Sequence, residues 1–184
     1  MYLQLVHDLG VVKSAYIDVI EHTPDIDRYA RWRYGFHPSD DLLQSYMDKD
    51  EMYILTDGAE TAGVVVISMS QDEDYQAVSW QEDLADDQVA VLHLLAVCPP
   101  FRGRSLGLRI LEEAMDLALK KGKKALRLDT LKSNIPAQSM YDKAGFSFRG
   151  EQKICIEELG CIDFYYYEKL LGTEAEYRIG VPDV

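Results

Sequence analysis

The sequence predicts one α/β (α+β) domain, a mixed twisted sheet flanked by helices. Three observations carry that expectation. The order of elements is mixed: hairpin-type strands come first, then a strand–helix–strand–helix unit, then more strands. The 184 residues are 47% hydrophobic, enough for one real core, so a single domain over residues 1–184 is expected. A Gly/Arg-rich loop links a buried-type strand, Val89–Val97, to a long amphipathic helix, Ser105–Lys121.

The elements follow in order. Met1–Val6 is an opening strand. Val11–Glu21 has helical spacing through Val12, Ala15, Tyr16 and Val19, and Thr23-Pro24 ends it. Residues 24–37 are aromatic and irregular. Ser39-Asp40-Asp41 starts a short helix that runs to about Met47. Met52–Thr56 and Thr61–Met69 are strands joined through Asp57-Gly58, a hairpin signal with a loop that reads as longer than two residues. Residues 71–88 hold seven acidic side chains, no Lys or Arg, and the aromatics Tyr75 and Trp80. After the central strand and helix come a strand at Ala125–Thr130 and a helix at Asn134–Lys143, stopped by Gly145. Three last strands are expected at Phe146–Arg149, Lys153–Glu157 and Ile162–Leu170.

Composition excludes several classes. The net charge of −13 disfavours a nucleic-acid partner. No apolar run reaches the length of a membrane span, and the N-terminus lacks a signal-peptide pattern. Three cysteines, Cys98, Cys155 and Cys161, make an odd, sparse set. That argues against a disulfide framework and for a reducing, cytoplasmic setting. No Cys/His cluster has zinc spacing, so no metal is expected.

The charge is unevenly placed. Residues 1–90 carry 19 acidic against five basic side chains, whereas residues 91–150 carry five acidic against 11 basic. A basic block inside an acidic chain fits an anion site, and equally fits ordinary solvated faces. The block contains Val97-Cys98-Pro99-Pro100-Phe101-Arg102-Gly103-Arg104-Ser105-Leu106-Gly107-Leu108. Backbone N–H groups at a helix N-terminus are free and favour an anion. Arg102 and Arg104 add guanidinium donors. The small residues Gly103, Ser105 and Gly107 let a phosphate approach the backbone. The physical reading is a pyrophosphate cradle; the bland one is a basic turn whose glycines serve geometry. A P-loop is excluded because no Gly-Lys-Ser/Thr follows, and the Gly-x-Gly-x-x-Gly spacing is absent.

Arg102-Gly103-Arg104-Ser105-Leu106-Gly107 resembles the Arg/Gln-x-x-Gly-x-Gly/Ala motif of the GCN5-related N-acetyltransferases (GNAT). Leu94-Leu95-Ala96-Val97-Cys98-Pro99 is similar to that family's strand end. Asn134-x-x-Ala137-x-x-x-Tyr141-x-x-Ala144-Gly145-Phe146 resembles its second signature. The likeness is concentrated in residues 89–150 and departs at Ser105, where the family usually has glycine.

The resemblance implies acetyl-CoA as co-substrate and direct transfer of the acetyl group to a primary amine. Leu95, Ala96 and Val97 would lie along the pantetheine arm, with the backbone of Leu95 and Val97 pairing with its amides. The N–H groups from Arg104 to Leu108 would hold the pyrophosphate. Asn134 would touch the pantetheine arm or merely cap its helix. Tyr141 would protonate the departing thiolate, its alternative being a core residue.

The base is less determined. His93, four residues before Val97, titrates in a useful range but could equally be a satisfied core histidine. Glu73, Glu82 and Asp83 are other candidates. Cys98 has no His–Asp arrangement to make it a nucleophile. The acceptor is expected to be a small molecule or peptide amine, cationic on grounds of charge, approaching past residues 24–37 and 71–88. A non-catalytic acyl-CoA-binding or regulatory module is the alternative, and a homodimer is left open.

Overall fold

The computed structural model describes residues 1–156 and 160–172. Seven strands form one sheet in the order β1-β2-β3-β4-β5-β7-β6. β1 (Leu3–Leu5), β2 (Met52–Asp57), β3 (Glu60–Ser68) and β4 (Val89–Val97) run antiparallel to their neighbours. β4 and β5 (Ala125–Leu131) are parallel, and β7 (Gly160–Leu170) lies between β5 and β6 (Ser147–Ile156). The mixed sheet expected from the sequence is present.

The helices are α1 (Leu9–Glu21), a single turn α2 (Ile26–Tyr29), α3 (Asp40–Asp48), α4 (Leu106–Lys120) and α5 (Ile135–Lys143). Asp8 caps α1 by accepting from Gly10 and Val11, and Ser39 caps α3 by accepting from Leu42. α1 buries Val12, Ala15, Tyr16 and Val19, the stripe its spacing predicts. α1 and α4 both cross β3 and β4 without packing on one another, so they cover opposite faces. α3 sits beside α1, and α5 beside α4.

Three expectations need correction. Asp57 pairs with Glu60, so the β2–β3 loop is the two residues Gly58-Ala59 and not longer. A bulge between Leu55 and Thr56 absorbs the register that the alternation alone hides. The two short strands expected after α5 are one strand, β6, kept paired to β7 across an irregularity between Phe148 and Gly150. Glu157, expected at its end, lies outside the described residues. Cys155 and Cys161 form a disulfide, against the expectation of free thiols. The β6–β7 register sets the two residues opposite one another, with Cα atoms 3.9 Å apart. The cysteine count therefore no longer argues for a reducing compartment. No described helix is long and apolar enough to cross a membrane.

The acidic segment 71–88 is folded onto the sheet by one buried cation. Arg127 of β5 is 0% exposed and stands opposite Glu168 of β7. Its Nε donates to Glu168 Oε1 at 2.9 Å, its Nη1 to Gln71 Oε1 at 2.6 Å and its Nη2 to the Glu82 carbonyl at 3.2 Å. The Trp80 ring covers the guanidinium at 4.1 Å, and Gln81 N–H donates to Glu168 Oε2. The charges are paired and their hydrogen bonds filled, which is the condition for burying them.

Glu168→Gln keeps the volume and removes one charge of this pair. Removing one partner of a buried pair costs about 3–5 kcal/mol. Denaturant unfolding should register a loss of that order, and limited proteolysis should cut within 71–88 sooner than in the wild type. Unchanged stability and unchanged proteolysis would show that the pair does not hold the segment.

Candidate functional site

β4 and β5 are paired only over their first halves. Val89, Ala90, Val91 and Leu92 face Ala125, Leu126, Arg127 and Leu128; beyond them the pairing stops. β4 continues along β3, but with a shifted register between Val64 and Val66. Leu94, at that shift, has φ +52°, unusual for a residue with a branched side chain. The Tyr16 hydroxyl, from the buried face of α1, donates to the Leu94 carbonyl at 2.7 Å and fixes the bulge. β4 thus veers from β5 and opens a gap at the strand ends.

A cavity of about 460 Å³ occupies this gap. His93, Leu94 and Leu95 line it from β4, Asp129, Thr130 and Leu131 from β5, and Asn134 and Tyr141 from α5. Tyr29, Trp32, Phe36 and His37 close it from the irregular segment, joined by Tyr46 of α3. The two catalytic candidates, His93 and Tyr141, therefore meet in one cavity.

Their surroundings set their charge. Burial pushes the His93 imidazole below its usual 6.5, and outweighs the opposing pull of Asp129, Asp72 and Glu51. Tyr46 stacks on it with ring centroids 6.1 Å apart, and Tyr75 meets it edge-on. Tyr141 is 5% exposed, packed against Phe146 and Tyr167. Burial, with the Asp129 charge second, raises its phenol well above the ordinary value, so it stays protonated at neutral pH. Burial likewise raises the Cys98 thiol to about 11, which suits a packed residue and not a nucleophile.

The loop before α4 lies beyond the end of β4. Its left-handed positions are Gly103 at φ +77° and Ser105 at φ +57°, the latter being the N-cap of α4. The Ser105 hydroxyl makes no capping bond. The first α4 residue to donate back is Arg109, to the Ser105 carbonyl, so the N–H groups of Leu106, Gly107 and Leu108 have no partner one turn earlier. A side chain at Gly107 would run into Met140 of α5. The sequence departure at 105 is thus a serine held in a conformation that suits glycine.

The two arginines are engaged within the protein. Arg102 donates to the Val97 carbonyl, the His22 carbonyl and Thr23 Oγ1, tying the loop to the end of α1. Arg104 pairs with Asp57 at 2.9 Å across an exposed surface, a weak tie that an incoming anion can replace. Asn134 accepts from Ala137 N–H at 3.2 Å, so it caps α5 while lining the cavity. None of residues 71–88 lines the cavity. Glu73, Glu82 and Asp83, weighed as bases, are exposed.

Asp129, which sequence reading missed, is the one carboxylate among the described residues of the cavity lining. No motif marks it. It is the first β5 residue past the last pair with β4, and only the point of strand separation brings it to the gap.

Residues 20–146 match the profile of the Acetyltransferase (GNAT) family. The chain belongs to that family. Among curated relatives, it is 26% identical over 109 residues to the "Uncharacterized N-acetyltransferase YvbK" of Bacillus subtilis, covering 59% of this chain and 61% of that one. The chain spans about half to two thirds of the length of the curated relatives it matches. A GNAT-family acetyltransferase from Listeria monocytogenes superposes with TM-score 0.67 at 23% identity, covering 92% of this chain and 94% of that one. The protein yncA of Salmonella typhimurium, solved with its cofactor acetyl-CoA, has TM-score 0.67 at 13% identity over 100% of this chain and 98% of its own. At such identities the likeness establishes the GNAT fold.

The strain at Ser105 has a measurable consequence. A left-handed non-glycine residue costs roughly 1–2 kcal/mol, while glycine adds unfolded-chain entropy worth about 0.4–1 kcal/mol. Ser105→Gly should therefore raise the unfolding free energy by up to about 1 kcal/mol. Ser105→Val, branched at Cβ, should lower it. Calorimetric melting of both variants checks the sign, and a stabilised valine variant would contradict the assigned backbone.

Proposed function

We propose that this chain is a single acetyltransferase domain that moves an acetyl group from acetyl-CoA to a primary amine by direct attack. Its coenzyme-binding core would span about residues 89–150. The observation that carries the reading is that the β4–β5 gap holds a cavity lined by both His93 and Tyr141, while β4 runs on to the unpartnered N–H groups at the start of α4.

The residues fit the co-substrate. Past Leu92, β4 has lost its β5 partner, so the backbone of Leu95 and Val97 can pair with the amides of a pantetheine arm that lies along Ala96. The N–H groups from Arg104 to Leu108 supply an anion cradle with a favourable dipole. Gly103, Ser105, Leu106 and Gly107 keep that backbone accessible. Arg104 adds charge once it leaves Asp57, whereas Arg102 acts by holding the loop to α1.

The chemistry then needs two proton movements. The acceptor arrives as an ammonium ion and must lose a proton before its nitrogen can attack. His93 is neutral at pH 7, because burial lowers its affinity for a proton, and takes that proton directly or through water. The amine nitrogen adds to the thioester carbonyl, the C–S bond breaks, and the thiolate leaves with a proton from Tyr141. Burial keeps that phenol protonated, so its O–H is available, while making it a weaker acid than a free tyrosine.

The direct test is thiol release from acetyl-CoA across a panel of primary amines, beside calorimetry of coenzyme A binding. Coenzyme binding with no turnover of any amine would favour a non-catalytic acyl-CoA-binding module. Tyr141→Phe should bind coenzyme A as the wild type does and lose at least about tenfold in turnover. Near wild-type turnover, with chemistry rate-limiting, would remove the phenol from the mechanism. The pH profile tests His93. Its lowered pKa means the base stays neutral until the pH falls below 6.5, so the acid limb of kcat/KM should have its midpoint under that value. His93→Gln should abolish that limb; a limb unchanged in the variant belongs to another group.

A further inference from the structure

The geometry points to Asp129 as the anchor for the acceptor's ammonium group, and to a small amine with one positive charge on an apolar or aromatic body as the acceptor class. This inference rests on the N-acetyltransferase reading of the same cavity and deepens it.

Among the described residues, the cavity lining contains one carboxylate, Asp129, and one guanidinium, Arg31, already paired with Asp27 at 3.0 Å. Asp129 Oδ1 accepts from the Tyr75 hydroxyl at 2.5 Å. Its Oδ2 takes no hydrogen bond from a described residue, which leaves an acceptor for an ammonium proton beside His93. The two imidazoles of the lining, His37 and His93, are both held toward the neutral form by burial and set no positive charge against an incoming cation. Around this single anion stand Trp32, Phe36, Tyr46 and Phe164. Aromatic faces bind an apolar body and add cation–π attraction.

The arrangement disfavours a polycation. Several ammonium groups would enter one cavity with one carboxylate, leaving charges desolvated and unpaired. Asp72, Glu73 and Asp74, the acidic residues closest in sequence to Tyr75, are exposed and outside the lining. The segment 71–88 contributes through Tyr75 instead. Its ring stacks on Trp80 at 5.9 Å, and Trp80 lies on the buried Arg127. Tyr75 is thus a positioning residue that holds Asp129 Oδ1 from outside the cavity lining and leaves Oδ2 to the acceptor.

The test is calorimetric binding of three probes to the full chain, with and without coenzyme A: 2-phenylethylamine, its neutral counterpart 2-phenylethanol, and spermidine. A hydrogen bond to a charged group is worth about 1.5–3 kcal/mol, or roughly tenfold and upward in affinity. The wild type should prefer 2-phenylethylamine to 2-phenylethanol by at least about tenfold. Asp129→Asn, near-isosteric and checked for an unchanged melting temperature, should collapse that preference. Spermidine should bind no more tightly than 2-phenylethylamine.

An Asp129→Asn variant that keeps the preference, or tighter spermidine binding, overturns the inference. Tyr75→Phe should weaken 2-phenylethylamine several-fold in the wild-type background and not in the Asp129→Asn background. Additive effects would reduce Tyr75 to packing. Binding with these ratios but no thiol release from acetyl-CoA would sink the enzymatic reading and leave the anchor standing. Turnover of spermidine or of a lysine peptide in preference to 2-phenylethylamine would do the reverse.

Discussion

The separation of β4 from β5 is the constraint on which the rest of the structure depends. Two parallel strands that begin paired and then part leave unsatisfied backbone groups, a cost that sheets normally avoid. Here the departure is built by the Leu94 bulge, whose left-handed backbone is itself unfavourable. The Tyr16 hydroxyl helps to hold it, and Tyr16 is fully buried with its ring edge-on to Trp32. One side chain thus connects the core of α1, the bulge that opens the gap, and the aromatic wall of the cavity. Strain of this kind survives only where the surroundings over-determine it, and such places are often functional.

The charge pattern acquires a different meaning once folded. The basic block of residues 91–150 suggested a cationic cradle, yet its arginines are largely spent inside the protein. Arg127 is buried under Trp80, and Arg102 braces the loop against α1. What remains for an anion is chiefly backbone N–H and the helix dipole, with Arg104 at the rim. The acidic segment 71–88 suggested an electrostatic approach for a cation. Its carboxylates face solvent, while its aromatics and the Arg127–Glu168 pair make it a clamp behind Asp129. Net charge over a window says how many charges a segment carries, not where the chain spends them.

The parts of the fold legible in the sequence were those encoded locally. β4 was bounded at Val89–Val97 because a run of apolar residues ends at prolines, and α4 to within a residue because its stripe and its basic C-terminal end lie within one stretch. The loop and the Asn134–Phe146 signature carried the family because both sit on consecutive residues. Features set by pairing over long separations were not legible. Asp129 and Tyr75 are 54 residues apart, and Arg127 and Glu168 are 41 apart. The two-residue β2–β3 loop was hidden by a bulge, and the disulfide depends on the β6–β7 register. Tyr141 and His93 were named from pattern and strand position. That they share a cavity follows only from where β4 parts from β5.

Burial shifts those two groups in opposite directions, fixing the protonation state of each at some cost in base or acid strength. Desolvation disfavours the charged form of each. For an imidazole the charged form is the protonated one, so His93 is left empty of its proton and able to accept. For a phenol the charged form is the deprotonated one, so Tyr141 is left full and able to donate. The same burial therefore leaves the imidazole unprotonated and the phenol protonated, the states from which the proposed proton transfers would start. The same burial has a stability consequence with a definite sign. His93 in the unfolded chain titrates near 6.5 and in the folded chain lower, so the unfolded state binds more protons over that interval and folding stability falls as pH drops below 6.5. Asp129 limits that loss, since its charge favours the protonated imidazole. The carboxylate proposed to receive an ammonium ion thus also moderates the cost of the buried histidine.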